Sequence, residues 1–172
     1  MISVYLCRSM THRIKEEVVQ EAKTDKEFFE KAGLIVYDPV AEEQVKSTKE
    51  KLIASKKAMD QYWPRDKQLI RMAHVILDMT PHMKSFGTEK ELGYARYHLW
   101  KKVIRVFPKG QLPVASCVAY IEDDSVVDSK EEALEDILRT HGTYWKRLKW
   151  RFGIYKRSWL KAKWYRILEW TK

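Results

Sequence analysis

Three short stretches of this 172-residue chain hold residues able to do chemistry. The first is Ser85-Phe86-Gly87-Thr88-Glu89-Lys90-Glu91-Leu92-Gly93-Tyr94-Ala95. Glu91 falls in the opening turns of an expected helix, where the helix dipole favours a charged carboxylate that can act as a nucleophile. A first-turn Glu can equally be a solvated surface acid, and Glu89 has the same claim by composition. The second is Arg65-Asp66, again an acid at a helix start, where service to the dipole competes with catalysis. Two carboxylates facing one crevice would suit cleavage of a glycosidic bond, one attacking and the other moving protons. Spacing alone does not bring them together. The third is Tyr5-Leu6-Cys7-Arg8-Ser9-Met10-Thr11, a strand-to-helix turn that offers N–H and O–H donors to an anion such as phosphate. It can also be read as an ordinary capped helix start, for it lacks a glycine-rich fingerprint.

These stretches need elements to hold them. Ile2–Leu6 is an apolar, β-branched run that suits a buried strand. Thr11 can cap a helix running to about Ala32, with Gly33 as its stop. Leu34–Tyr37 reads as a second strand closed by Asp38-Pro39, and a polar helical segment follows from about Thr48. Pro64 stands where a helix over Arg65–Met72 would open. Ala73–Met79 is a third strand, and Gly87-Thr88 precede a helix running through Glu91, Tyr94 and His98. Val103–Phe107 is a fourth strand and Val118–Ile121 a candidate fifth. Ser129 to about Arg139 is a helix opened by Ser-x-x-Glu. Strands alternating with helices imply an α/β, Rossmann-like (flavodoxin-like) parallel sheet flanked by helices. Ligands bind such sheets beyond the carboxyl ends of the strands. That gathers Cys7–Arg13, Thr80–Glu91 and Phe107–Cys117 around one crevice.

Composition separates a second part. The net charge of +9 resides in residues 143–172, which hold ten Lys/Arg against Glu169 alone and five of the seven tryptophans. Residues 1–142 balance, with 23 charges of each sign. The expected organisation is therefore a neutral domain over 1–142 and a basic, Trp-rich amphipathic helical tail over 143–172. Trp145, Leu148, Phe152, Tyr155 and Trp159 make a helical stripe, although Gly153 weakens it. That stripe could pack on the domain or a partner chain. The tail could instead bind nucleic acid through lysines and stacking aromatics, or lie on an anionic membrane surface. No apolar run reaches the roughly 18 residues that span a bilayer, and Ile2–Leu6 follows Met1 without the pattern of a signal peptide. Cys7 and Cys117 make neither a disulfide scaffold nor a paired metal-ligand spacing. A cytoplasmic protein is expected.

Residues 2–140 resemble, in order, the nucleoside 2-deoxyribosyltransferase family, which includes the 2′-deoxynucleoside 5′-monophosphate N-glycosidases. Val4-Tyr5-Leu6-Cys7-Arg8-Ser9-Met10 is similar to that family's first strand and sugar or phosphate loop. Arg65-Asp66 before Ala73-His74-Val75-Ile76-Leu77-Asp78 resembles its acid before an "A-D-x-V-V" strand. Gly87-Thr88-Glu89-Lys90-Glu91-Leu92-Gly93-Tyr94-Ala95, then Lys101-Lys102-Val103-Ile104, resembles its "G-T-x-x-E-L-G-Y-A … G-K-P-V" signature. The resemblance implies that Glu91 attacks C1′ of a deoxyribose and forms a glycosyl-enzyme. It makes Asp66 the acid that handles the base or the sugar hydroxyl, and Tyr5 the residue that orients Glu91. Glu89 falls at a variable position of the motif.

Transferases of free nucleosides generally carry an Asp six residues before the glutamate, whereas this chain has Ser85, as in the monophosphate hydrolases. A hydroxyl can donate to a 5′-phosphate that an aspartate would repel. Cys7, Ser9, Arg13, Ser85 and Gly87 are the expected substrate-binding residues, with Ser116 supplied across a homodimer interface into a shared site. The resemblance thus implies a deoxynucleoside 5′-monophosphate as substrate and a hydrolase that releases free base and deoxyribose 5-phosphate, without metal or organic cofactor. A nucleoside 2-deoxyribosyltransferase and a non-catalytic nucleotide- or nucleic-acid-binding module stay open as alternatives. The chain departs from the family pattern in three places. Arg8 replaces the usual glycine and is expected to crowd its loop. His74 replaces an acid in a structural role, and the Thr80–Lys84 loop is slightly long.

Overall fold

The computed structural model describes residues 1–9, 13–41, 62–81, 85–107, 125–144 and 146–148. By its contacts the chain divides into two compact units, Met1–Leu134 and Glu135–Lys172. The expected polar helix after Thr48, the expected strand Val118–Ile121, and most of the tail lie outside the described residues.

The first unit is built on a five-stranded parallel sheet of order β2-β1-β3-β4-β5. Its strands are β1 (Ser3–Cys7), β2 (Ile35–Tyr37), β3 (Val75–Asp78), β4 (Lys102–Val106) and β5 (Ser125–Val127). This is the flavodoxin-like order, whose direction of winding reverses between β1 and β3. The three central strands are buried along their whole length because both faces are covered, and their middles are apolar. Val4 pairs with Val75, Tyr5 with Ile76 and Cys7 with Asp78 across β1 and β3. Asp78 in turn pairs with Arg105 of β4.

Four helices accompany these strands: α1 (Lys15–Lys31), α2 (over 62–72), α3 (Phe86–Gly93) and α4 (Lys130–His141). α1 ends where expected, because Gly33 takes a left-handed φ of 81° that an L side chain resists. α4 opens as its Ser-x-x-Glu predicts, with Ser129 Oγ accepting from the Glu132 N–H at 3.2 Å. Three expected helix starts are corrected. α1 begins at Lys15 behind Ile14, which makes no side-chain cap bond, rather than behind Thr11. Pro64 lies inside α2, which is already helical at Tyr62 and Trp63, rather than opening it. Gly87 and Thr88 lie inside α3, whose cap is Ser85. The expected single helix through His98 instead loosens into a π turn over Tyr94–His98.

One cluster of buried residues lies between the sheet and two of the helices. Tyr5, Cys7, Ile76 and Val103 come from the strands, Ile70 from α2, and Leu92 and Ala95 from α3 and the π turn. A second cluster joins Val18, Val19 and Ala22 of α1 to Val40. Among the described residues, no helix is long and apolar enough to cross a membrane.

Candidate active site

Side chains two apart on a strand share a face, so Tyr5 and Cys7 point the same way from β1. They point towards α2 and α3, as their common cluster with Ile70 and Leu92 shows. This face brings the expected catalytic residues together. Tyr5 is fully buried and Asp66 is buried, while Glu91 precedes the buried Leu92 on α3. Burial pushes the Glu91 carboxyl up to about 8, and the nearby charge of Asp66 adds to that rise. The Tyr5 hydroxyl opposes it by hydrogen-bonding to Glu91, and Arg65 opposes it through its charge. Tyr5 is raised well above the usual phenol range, first by burial and then by the charges of Glu91 and Asp66. The hydroxyl nonetheless meets no partner at full hydrogen-bond geometry among the described residues. Tyr5 and Glu91 are therefore in loose contact, of the kind a bound substrate tightens.

Asp66 is held by its neighbour. Arg65 donates from Nε and Nη2 to Asp66 Oδ1 at 3.1 and 3.0 Å, and its guanidinium lies 5.1 Å from the Tyr62 ring centre. Two carboxyls and a phenol thus converge beside one cation. A carboxyl that burial keeps neutral, close to a second one that Arg65 contacts, brings the groups of an acid–base pair to one place.

The substrate-binding expectations fare unevenly. Cys7 is buried, and its thiol donates to the Leu77 carbonyl at 3.4 Å. Burial pushes that thiol well above its ordinary range, so it stays neutral. Ser9 is buried, with its N–H donating to Thr80 Oγ1 at 2.6 Å. That bond ties the ends of β1 and β3 together at the point where the winding reverses. Ser85 Oγ accepts from the Thr88 N–H at 3.4 Å, which leaves the hydroxyl proton available to an anion. Gly87 is exposed, and a Cβ there would meet only Ser85 Oγ at 3.8 Å among the described atoms. Arg13 forms an ion pair with Glu21 of α1. Ser116 lies outside the described residues.

Arg8 does not crowd its loop, which corrects the expectation. Its guanidinium turns into the protein, donating from Nη1 to Asp25 at 2.9 Å and from Nη2 to Asp38 at 2.8 Å. Asp38 also accepts from the Val40 and Ala41 N–H groups. A cation flanked by two buried acids gains more there than in the loop, so Arg8 clamps the end of β1 to α1 and to the segment after β2. His74 is structural, as expected: its Nδ1 accepts from the Ser3 N–H at 3.1 Å.

The residue-by-residue reading passed over the buried pair of Asp78 and Arg105, 3.0 Å apart. The available signal was one charge of each sign inside two strands that otherwise read as core. Among the described residues, no group of His, Cys, Asp or Glu is arranged to hold a metal ion.

No family model matches this chain, and no curated protein matches it. Among solved structures it is similar to a conserved protein from Enterococcus faecalis V583, at 12% identity over 81% of this chain and 98% of that one, with a TM-score of 0.49. It is similar to the Clostridium botulinum CMP N-glycosidase BcmB, at 17% identity over 78% and 97%, TM-score 0.48. A 2-deoxyribosyltransferase from Bacillus psychrosaccharolyticus is similar at 17% identity over 78% and 90%, TM-score 0.46. None of these likenesses is close enough to carry an activity from those proteins to this one.

Proposed function

We propose that this chain hydrolyses the N-glycosidic bond of a 2′-deoxynucleoside 5′-monophosphate through Glu91. The observation that carries the reading is the convergence of Glu91, Asp66 and Tyr5 on one face of the sheet. In the first step a Glu91 oxygen bonds to C1′ as the C1′–N bond breaks, and the departing base takes its electron pair and a proton from the Asp66 side. The transition state has oxocarbenium character, so the two carboxylates stabilise its positive charge. In the second step water attacks C1′, a carboxylate takes its proton, and deoxyribose 5-phosphate leaves with Glu91 restored.

The phosphate assignment draws on Ser85 and Gly87. The Ser85 hydroxyl keeps its proton to donate. Gly87 occupies a helical position where, among the described atoms, alanine would fit and be preferred by about 1 kcal/mol. A glycine without a packing reason suits a ligand that approaches the backbone closely.

A second reading, a deoxyribosyltransferase acting on free nucleosides, uses the same intermediate with a base in place of water. The pairing of Arg13 with Glu21 favours it, because that guanidinium is already occupied by a carboxylate.

The test is incubation with a panel of deoxynucleosides and their 5′-monophosphates, read by mass spectrometry beside Glu91→Gln. Free base and deoxyribose 5-phosphate from wild type, reduced on the order of 10⁴-fold or more in the variant, is the expected result. Base exchange among free nucleosides would establish the transferase instead. Equal behaviour of wild type and variant would remove the enzyme reading and leave a binding module.

A further inference from the structure

α2 and α3 carry a second group of side chains, which the proposed reaction does not use. Trp63, Lys67 and Arg71 recur at every fourth residue and so line one side of α2. Lys90 and Tyr94 have the same spacing on α3 and the π turn. The two rows meet. Lys67 Nζ lies 5.6 Å and Lys90 Nζ 4.5 Å from the Trp63 ring centre, so cations from both helices converge on one indole. Trp63 and Tyr94 pack edge to face with their centres 5.6 Å apart. Arg71 Nε donates to the Tyr94 hydroxyl at 2.7 Å, with its guanidinium 5.8 Å from that ring's centre. Lys101 Nζ donates to the Arg71 carbonyl at 3.0 Å, which fixes the segment beyond the π turn beside the end of α2.

That segment has two unusual features. Tyr97 is 64% and Trp100 40% exposed, although rings of this size are ordinarily sheltered in a core or an interface. Trp100 also takes a left-handed φ of 55°, which an L side chain resists. Strain of this kind collects where a protein holds a group ready for a ligand. Charge completes the pattern. Of the acids on α2, α3 and the π turn, Asp66 is buried against Arg65, and Glu91 belongs to the candidate active site. Glu89 alone remains on these elements to oppose Lys67, Arg71 and Lys90.

We propose that this cationic, aromatic face of α2, α3 and the π turn binds single-stranded nucleic acid. Lys67, Arg71 and Lys90 meet the phosphates, and the exposed rings of Tyr97 and Trp100 stack on unpaired bases. A duplex keeps its base faces stacked on one another and offers these rings no such partner. A second copy of the same face would bring like charges together. A membrane-surface helix needs a continuous apolar stripe, whereas cations interrupt the rings here. The proposal is independent of the reading of Glu91 as nucleophile.

The test uses the full chain and a fluorescent single-stranded DNA of about a dozen nucleotides that carries 5-iododeoxyuridine. Irradiation joins that base to aromatic side chains in contact with it, and mass spectrometry locates the joins. Adducts are expected on Tyr97 or Trp100, separately from any on the basic tail. Trp100→Gly removes a ring while relieving the backbone, because glycine takes a positive φ freely, so the variant keeps its fold. Its affinity for the DNA, read by fluorescence anisotropy, falls about 5-fold or more, as loss of one stacked base requires. Tyr97→Ala, at a largely exposed position, loses a similar factor. Lys90→Gln lowers the slope of log affinity against log salt by about one. Adducts confined to residues 143–172, or unchanged affinity in both aromatic variants, overturn the proposal. So does a concentration-dependent dimer, or binding to anionic vesicles, that Trp100→Gly abolishes while DNA binding persists; the face then belongs to a second copy or to a membrane.

Discussion

In the proposed reaction, Glu91 is a nucleophile kept in reserve. With its carboxyl at about 8, roughly a tenth of the empty sites carry the anion at pH 7. The reaction needs that anion, so kcat/KM is expected to rise with pH and level off above about 8, which a pH–rate profile checks. Tyr5 tunes the same limb. Its hydroxyl lowers Glu91, so Tyr5→Phe is expected to move the limb to higher pH and slow turnover most below pH 7. Asp66→Asn removes a proton carrier and is expected to cost about 10²- to 10⁴-fold in kcat. It also relieves Glu91 of the largest nearby negative charge, and so shifts the limb the opposite way from Tyr5→Phe. A change of the same sign in both variants would contradict the arrangement.

The elements place these groups through local rules of differing strength. Two glycines show the contrast. Gly33 ends α1 with φ at 81°, and Gly33→Ala is expected to lower stability by about 1–2 kcal/mol in a denaturant titration. Gly87 sits in helical conformation with room for a Cβ, so Gly87→Ala is expected to keep or raise stability while increasing KM for a phosphorylated substrate. The buried strands β1, β3 and β4 were legible because both-face burial favours apolar cores such as Val4-Tyr5-Leu6, Val75-Ile76-Leu77 and Val103-Ile104, and α4 because its cap is spelled out locally. β5 was not legible. Its Ser-Val-Val follows an acidic stretch, and only pairing with Ile104, Arg105 and Val106 makes it a strand. Pro64 misled because a proline inside a helix looks the same in sequence as one that opens it. The convergence of Asp66 with Glu91 was expected only through resemblance, since no local pattern fixes the distance between α2 and α3. The Asp78–Arg105 pair depends on strand register, which spacing does not encode.

Across the molecule, buried carboxyls make stability depend on pH in an unusual direction. The folded Glu91 carboxyl is raised from 4.5 to about 8, so its contribution is fully present below about 4.5. That contribution is lost as pH rises through 8, because ionising the group is harder in the fold than in the unfolded chain. Melting temperatures of wild type and Glu91→Gln are therefore expected to diverge in favour of the variant between about pH 4.5 and 8. Parallel curves would show that the carboxyl is solvated. Charge is divided as sharply as burial. Residues 143–172 hold the whole net +9, so a chain ended at Gly142 is electrically balanced. Affinity of the full chain for DNA that falls steeply with salt, and vanishes on truncation, would mark the tail as a nucleic-acid binder. Binding confined to anionic vesicles would mark a membrane-surface segment.

The strand order also bears on how the chain is made. β1 is made before β2 and β3 and lies between them. Its partners at and just before β3 are distant in sequence: Ser3 donates to His74, 71 positions away. A ribosome must therefore add about 70 residues beyond β1 before this apolar strand can be sheltered on its second edge. Until then it is a sticky segment on a growing nascent chain, and rapid synthesis through β3 favours a soluble yield.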